Sequence, residues 1–105
     1  MMNNPNNINL PDGLTKNGFS ESDKENDQID KNKLEHIINF IELRFDKTKS
    51  INKKRSSYGL KHLVERNIDM YVSNGELIAS MIICDYKYKV DGINCYFNVT
   101  TNSVK

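Results

Sequence analysis

A chain of 105 residues, 28% charged and 37% hydrophobic with a formal charge of +1, holds room for one small domain. Its two cysteines, Cys84 and Cys95, are too few for a disulfide scaffold and lack a Cys-x-x-Cys spacing, so they read as reduced thiols of an intracellular protein. No apolar run approaches the ~20 residues that cross a bilayer, and the opening Met-Met-Asn-Asn-Pro-Asn-Asn has neither part of a signal peptide, so a cytoplasmic location and no membrane partner are expected.

The small net charge conceals an asymmetry. Residues 1–30 carry Lys16 and Lys24 against six carboxylates, a net of −4, which leaves +5 on the remainder. Their apolar anchors, Ile8, Leu10, Leu14 and Phe19, stand isolated among Asn, Asp, Glu, Ser and Gly. Such a composition does not offset chain entropy, so a disordered or loosely attached arm is expected ahead of a binding domain over 31–105.

Asp30 is a good N-cap for a helix running to about Asp46. Leu34, Ile37, Ile38, Ile41 and Phe45 follow helical spacing, and Phe40 and Leu43 widen the apolar face. A face that wide calls for two elements of its own core or for a second subunit, hence a candidate homodimer through helix 31–46. Residues 47–55 read as a basic connector. Ser56 or Ser57 caps a second helix of about 57–67 that buries Leu60, Leu63 and Val64 and exposes Lys61, Glu65 and Arg66. Ile68 to Val72 reads as a short strand.

The next helix has the most explicit start in the chain. Ser73 and Glu76 have the spacing of a capping box, with Val72 and Leu77 at the staple positions. A helix over 73–85 is predicted, burying Leu77, Ile78, Met81 and Ile82 and presenting Asn74, Glu76 and Ser80 to solvent. Asp91-Gly92 then signals a two-residue hairpin turn. That register pairs Val90 with Ile93, Tyr88 with Cys95 and Tyr86 with Phe97 on the apolar face. Lys87, Lys89, Asn94, Tyr96 and Asn98 point the other way. The expected fold is a small α+β domain in the order α-α-β-α-β-β, winged-helix-like, with a C-terminal β-hairpin.

Chemistry-bearing motifs are scarce. His36, His62, Cys84 and Cys95 have no paired-ligand spacing, so no metal is expected. The glycines are isolated and form no phosphate loop. No cofactor and no enzymatic activity are predicted. What remains is a basic surface that attracts phosphate or an acidic protein. Its candidate contacts are Lys53, Lys54, Arg55, Lys61 and Arg66 together with Lys87, Lys89, Asn94 and Tyr96. A winged-helix DNA binder is the alternative, with the hairpin lysines as wing. Two features weigh against it: 73–85 contains no Lys or Arg to read bases, and only one helix lies between the predicted first strand and the hairpin.

Ser56-Ser57-Tyr58-Gly59-Leu60-Lys61-His62-Leu63-Val64-Glu65, then Tyr71-Val72-Ser73-Asn74-Gly75, Ile78-Ala79, and Asn94 with Phe97-Asn98 carry a resemblance. This stretch, roughly 56–99, resembles small uncharacterised proteins of phages, plasmids and integrative elements that share a Ser-Ser-Tyr-x-Leu-Lys-His block followed by Tyr-Val-Ser-Asn-Gly. The resemblance implies a mobile-element origin and a role by binding: repressing a promoter or blocking a host defence nuclease such as a CRISPR effector. The implied partner is a host defence protein or ribonucleoprotein, with nucleic acid as a further candidate. It carries over no catalytic residue.

Overall fold

The computed structural model describes residues 10–20 and 29–104, a mixed α+β domain of three α-helices and two antiparallel sheets. In chain order these are β1 (Leu14–Thr15), β2 (Gly18–Phe19), α1 (Lys31–Arg44), β3 (Lys47–Asn52), α2 (Ser57–Ile68), α3 (Asn74–Ile83), β4 (Tyr88–Asp91) and β5 (Asn94–Val99), closed by a 3-10 turn over Asn102–Val104. Strands β1 and β2 pair with each other; the larger sheet has the order β3-β5-β4.

Helix α1 starts where the sequence places it. The Asp30 carboxylate accepts the Asn32 N–H at 3.0 Å, and Leu34, Ile37, Ile38 and Ile41 are buried. Phe45 is also buried, but Leu43 is 84% exposed, beside exposed Glu42 and Arg44, so the apolar face is narrower than its spacing suggests.

Between α1 and α3, two elements differ from expectation. The basic connector contains β3, which the pattern hides because Lys-Thr-Lys-Ser has no apolar alternation. It runs at the sheet edge, pairing with β5 at Lys47↔Val99 and Asn52↔Phe97 with a register shift between. The strand predicted over 68–72 is absent. Asp69 adopts a left-handed conformation at φ 52° that ends α2, and the Glu65 carboxylate accepts the Val72 N–H at 3.2 Å. The segment is therefore a turn between two helices. The helix-strand-helix-helix-hairpin order that results puts two helices, not one, between β3 and the hairpin.

Helix α3 is the centre of the molecule. Both halves of its capping box form: Ser73 Oγ accepts the Glu76 N–H at 3.1 Å and Glu76 Oε1 accepts the Ser73 N–H at 2.9 Å. All of its residues except Ile82 are buried. The predicted open face of Asn74, Glu76 and Ser80 is thus corrected. Glu76 also pairs with Lys33 of α1 at 2.9 Å, and the Ser80 hydroxyl donates to the Glu76 carbonyl at 2.8 Å.

The N-terminal arm is corrected in part. Residues 10–20 form a hairpin that packs on α3, with Leu14 and Thr15 buried. The Gly75 N–H donates to the Lys16 carbonyl at 2.8 Å, the Phe19 N–H to the Ile93 carbonyl at 3.0 Å, and Asn74 Nδ2 to the Asn17 carbonyl at 3.1 Å. Glycine is required on both sides of this contact. A Cβ at Gly75 would strike the Thr15 carbonyl oxygen, and Gly18 sits at φ +118° against the Ile93 carbonyl. The rest of the predicted arm, 1–9 and 21–28, lies outside the described residues.

The C-terminal hairpin forms one residue later than predicted. Its pairs are Tyr88↔Phe97, Lys89↔Tyr96, Val90↔Cys95 and Asp91↔Asn94, so the turn residues are Gly92 and Ile93. Gly92 at φ 63° is the first of them, the position at which a type II′ turn takes glycine. Moving the turn by one residue shifts each partner by two, so the facing of side chains is kept: Tyr86, Cys95 and Phe97 are buried as expected, but Tyr88, Val90 and Ile93 of the same predicted face are exposed, because they lie on the edge strand and at the turn.

Candidate functional site

The β3–α2 turn is held by Asn52. Its Nδ2 donates to the Val99 carbonyl at 2.9 Å and its Oδ1 accepts the Lys54 N–H at 3.0 Å. From this turn Lys53 reaches the hairpin, where it lines a groove of about 240 Å³ with Lys89, Val90, Asp91 and Tyr96. Lys54 and Arg55 line a second hollow of about 120 Å³ with Asn52, Thr101 and Val104. Five of the nine residues singled out from the sequence are thus gathered around one turn and the strands beside it.

The other four are placed differently. Lys61 is only 7% exposed. Its ammonium lies 3.1 Å from Glu65 Oε1 and over the rings of Tyr58 and Tyr71, at 5.5 and 5.2 Å from their centroids. It is committed to the fold, contrary to its predicted role. Arg66 is exposed in the last turn of α2 and lines neither groove. Lys87 is exposed beside Lys89 on β4's approach. Asn94 is half-buried, and its Oδ1 accepts from Asn74 Nδ2 at 2.8 Å, tying the hairpin to α3. The open face expected for Asn94, Tyr96 and Asn98 is corrected in part. β5 is the central strand, and Asn98 is buried, with its Oδ1 accepting the Lys87 N–H at 2.7 Å and its Nδ2 donating to the Thr48 carbonyl at 2.8 Å.

A cluster invisible in the sequence joins α1, α2 and the turn before α3. The exposed ring of Tyr71 sits between the ammonium groups of Lys33 at 5.0 Å and Lys61 at 5.2 Å. Each lysine is neutralised by a carboxylate, Glu76 and Glu65 respectively. Burial alone would raise the Glu65 pKa, but the Val72 N–H and Lys61, with His62 behind them, hold it below the ordinary glutamate value. The Lys61–Glu65 pair is a local i,i+4 contact of α2, but Lys33 lies some 40 residues from Tyr71 and Glu76, and that half of the cluster leaves no local pattern to read.

A hollow of about 340 Å³ lies at the end of α1, lined by Ile41, Glu42, Phe45, Asp46, Lys47, Cys84 and Tyr86. The Tyr86 hydroxyl is pushed up to about 12 by burial and then by Cys84 and Asp46, so it stays protonated at physiological pH. Cys95 is pushed up to about 12 by burial as well, which removes it as a nucleophile. Among the described residues no three of His, Cys, Asp and Glu come together as a metal site requires. No helix among them is long and apolar enough to cross a membrane.

The chemistry open to the Lys53–Lys89–Tyr96 groove is recognition. Two exposed ammonium groups attract carboxylate or phosphate, Tyr96 supplies a ring and a hydroxyl, and Asp91 penalises a dense polyanion. Comparison with protein families, curated proteins and solved structures finds no match for this chain.

Proposed function

We propose that the chain is a non-enzymatic binding protein of mobile-element origin. It works in the cytoplasm as an anti-defence inhibitor of the anti-CRISPR type, binding a nuclease effector or that effector's nucleic-acid-binding surface. The observation that carries the binding reading is the convergence of Lys53, from the β3–α2 turn, with the cross-strand hairpin pair Lys89 and Tyr96 on one exposed groove. The resemblance over 56–99 supports the origin and the target class. The moderate positive charge favours contact with an acidic protein patch or a guide strand over mimicry of nucleic acid.

A second reading, a small winged-helix DNA-binding regulator, draws on one specific observation. The order α1-β3-α2-α3-β4-β5, with β3 beside β5, is the order of a winged helix. Against it, the helix that would enter the major groove is α3, which is buried on every side but Ile82.

A tagged pull-down from a defence-competent host lysate, run with and without nuclease, separates the two. Inhibition predicts a defence effector that stays bound after nuclease treatment. Recovery of duplex DNA, with its attached proteins lost on digestion, would transfer the case to the regulator.

A further inference from the structure

We propose that the outer edge of β4 is a docking edge for an extended acidic segment of a partner protein, added as a further strand. This rests on the binding-protein reading and names the chemistry of the partner. The backbone argument comes from the register. Asp91 and Asn94 flank a two-residue turn and so form a hydrogen-bonded pair. Pairs alternate along an antiparallel ladder, which makes Lys89↔Tyr96 bonded and Tyr88↔Phe97 and Val90↔Cys95 non-bonded. Two hydrogen bonds agree with this phase. The Asn98 N–H donates inward to the Lys87 carbonyl at 3.2 Å, and the Cys95 N–H turns away from β4 to Ser57 Oγ at 3.1 Å. The N–H and C=O groups of Tyr88 and Val90 therefore point outward, along an edge that no strand of the described residues covers.

The side chains on this edge are sorted by face. Tyr88 and Val90, 40% and 45% exposed, share one face, where Phe19 stacks on Tyr88 at 6.4 Å with the rings 12° apart. Lys87 and Lys89 are exposed on the other, with Lys53 across the groove from Lys89. An incoming strand meets an apolar strip on one side and a lysine row on the other, so its complement alternates apolar and acidic residues. A second copy of this edge is disfavoured, because antiparallel pairing would bring the two lysine rows together. A nucleic acid would use the lysines alone and would meet Asp91.

The test uses the full chain and a short labelled peptide of alternating valine and glutamate, with a peptide of the same composition in blocks as control. The alternating peptide is expected to bind about tenfold tighter than the blocks, the worth of one or two backbone hydrogen bonds. Val90→Pro removes an outward N–H at an edge position that tolerates proline, and is expected to lose the same about tenfold preference. Methylating one alternate set of peptide amides is expected to abolish binding while the other set does not, a control that leaves the protein untouched. Equal binding of the block peptide, full binding by the Val90→Pro chain, insensitivity to both methylation patterns, or tighter binding of a single-stranded oligonucleotide of equal charge would overturn the inference. If the Val90→Pro chain still retains the lysate partner that wild type captures, strand addition fails and the binding reading stands. If wild type captures nothing, the reading itself fails.

Discussion

Gly75→Ala is expected to lower the melting temperature by roughly 10–20 °C, although the same change in most helices stabilises by about 1 kcal/mol. The sign reverses because of what faces the helix. The added methyl group strikes the Thr15 carbonyl oxygen and lies 2.7 Å from Lys16 Cα, and both are backbone atoms that move only with the whole hairpin. Overpacking of this kind costs about 1–3 kcal/mol, and loss of the Gly75–Lys16 hydrogen bond adds about 1 kcal/mol. Displacing the hairpin also uncovers Leu14, which is fully buried. Gly59→Ala is the control. Its methyl group would meet only side-chain atoms of Arg55, Cγ at 2.8 Å, so relief takes a rotation of that side chain and moves no backbone, and the change is expected to cost much less than Gly75→Ala. Thermal denaturation of the two variants beside wild type decides the matter. A Gly75→Ala melting temperature within about 2 °C of wild type would mean that residues 10–20 are not seated on α3.

Paired reversal of the groove, Lys53→Glu with Lys89→Glu, is expected to weaken partner binding more than about a hundredfold and leave the melting temperature unchanged. Each lysine removed forfeits a charge-assisted contact of about 1.5–3 kcal/mol, and the introduced carboxylates stand beside Asp91 to repel an acidic partner. Both lysines are exposed, and exposed positions change stability by no more than about 0.5 kcal/mol. Lys61→Glu should behave in the opposite way, since that ammonium is enclosed by Glu65, Tyr58 and Tyr71. Its loss reads out in melting temperature first. A reversal that leaves affinity within about twofold of wild type, roughly 0.4 kcal/mol, would remove the groove from the interface.

What the sequence makes legible here is what local chemistry determines. The capping box at Ser73, the N-cap at Asp30 and the buried faces of α1 and α2 follow from residues within a turn of one another, and all three form. The hairpin was readable in its facing but not in its turn, because Asp91-Gly92 and Gly92-Ile93 are both acceptable turn pairs. β3 carried no signal, since an exposed edge strand has no buried alternate to mark it. The docking of 10–20 was hidden for a related reason: one buried Leu14 and two close-approach glycines achieve what composition alone says the segment lacks. In the site, Lys53, Lys54, Arg66, Lys87 and Lys89 are exposed, whereas Lys61 is buried and Asn94 half-buried. Their partners, Tyr71 and Asn74, meet them only in the folded molecule.

Whether the hairpin edge and the turn bearing Lys53 form the binding surface is decided by hydrogen–deuterium exchange of the chain, alone and with its captured partner. New protection is expected at the outward amides of Tyr88 and Val90 and in the 52–55 turn, with α1 and the Tyr58–Tyr71 face unchanged. Protection confined to α1 or to the Tyr71 cluster, with 88–91 exchanging as in the free chain, would contradict it.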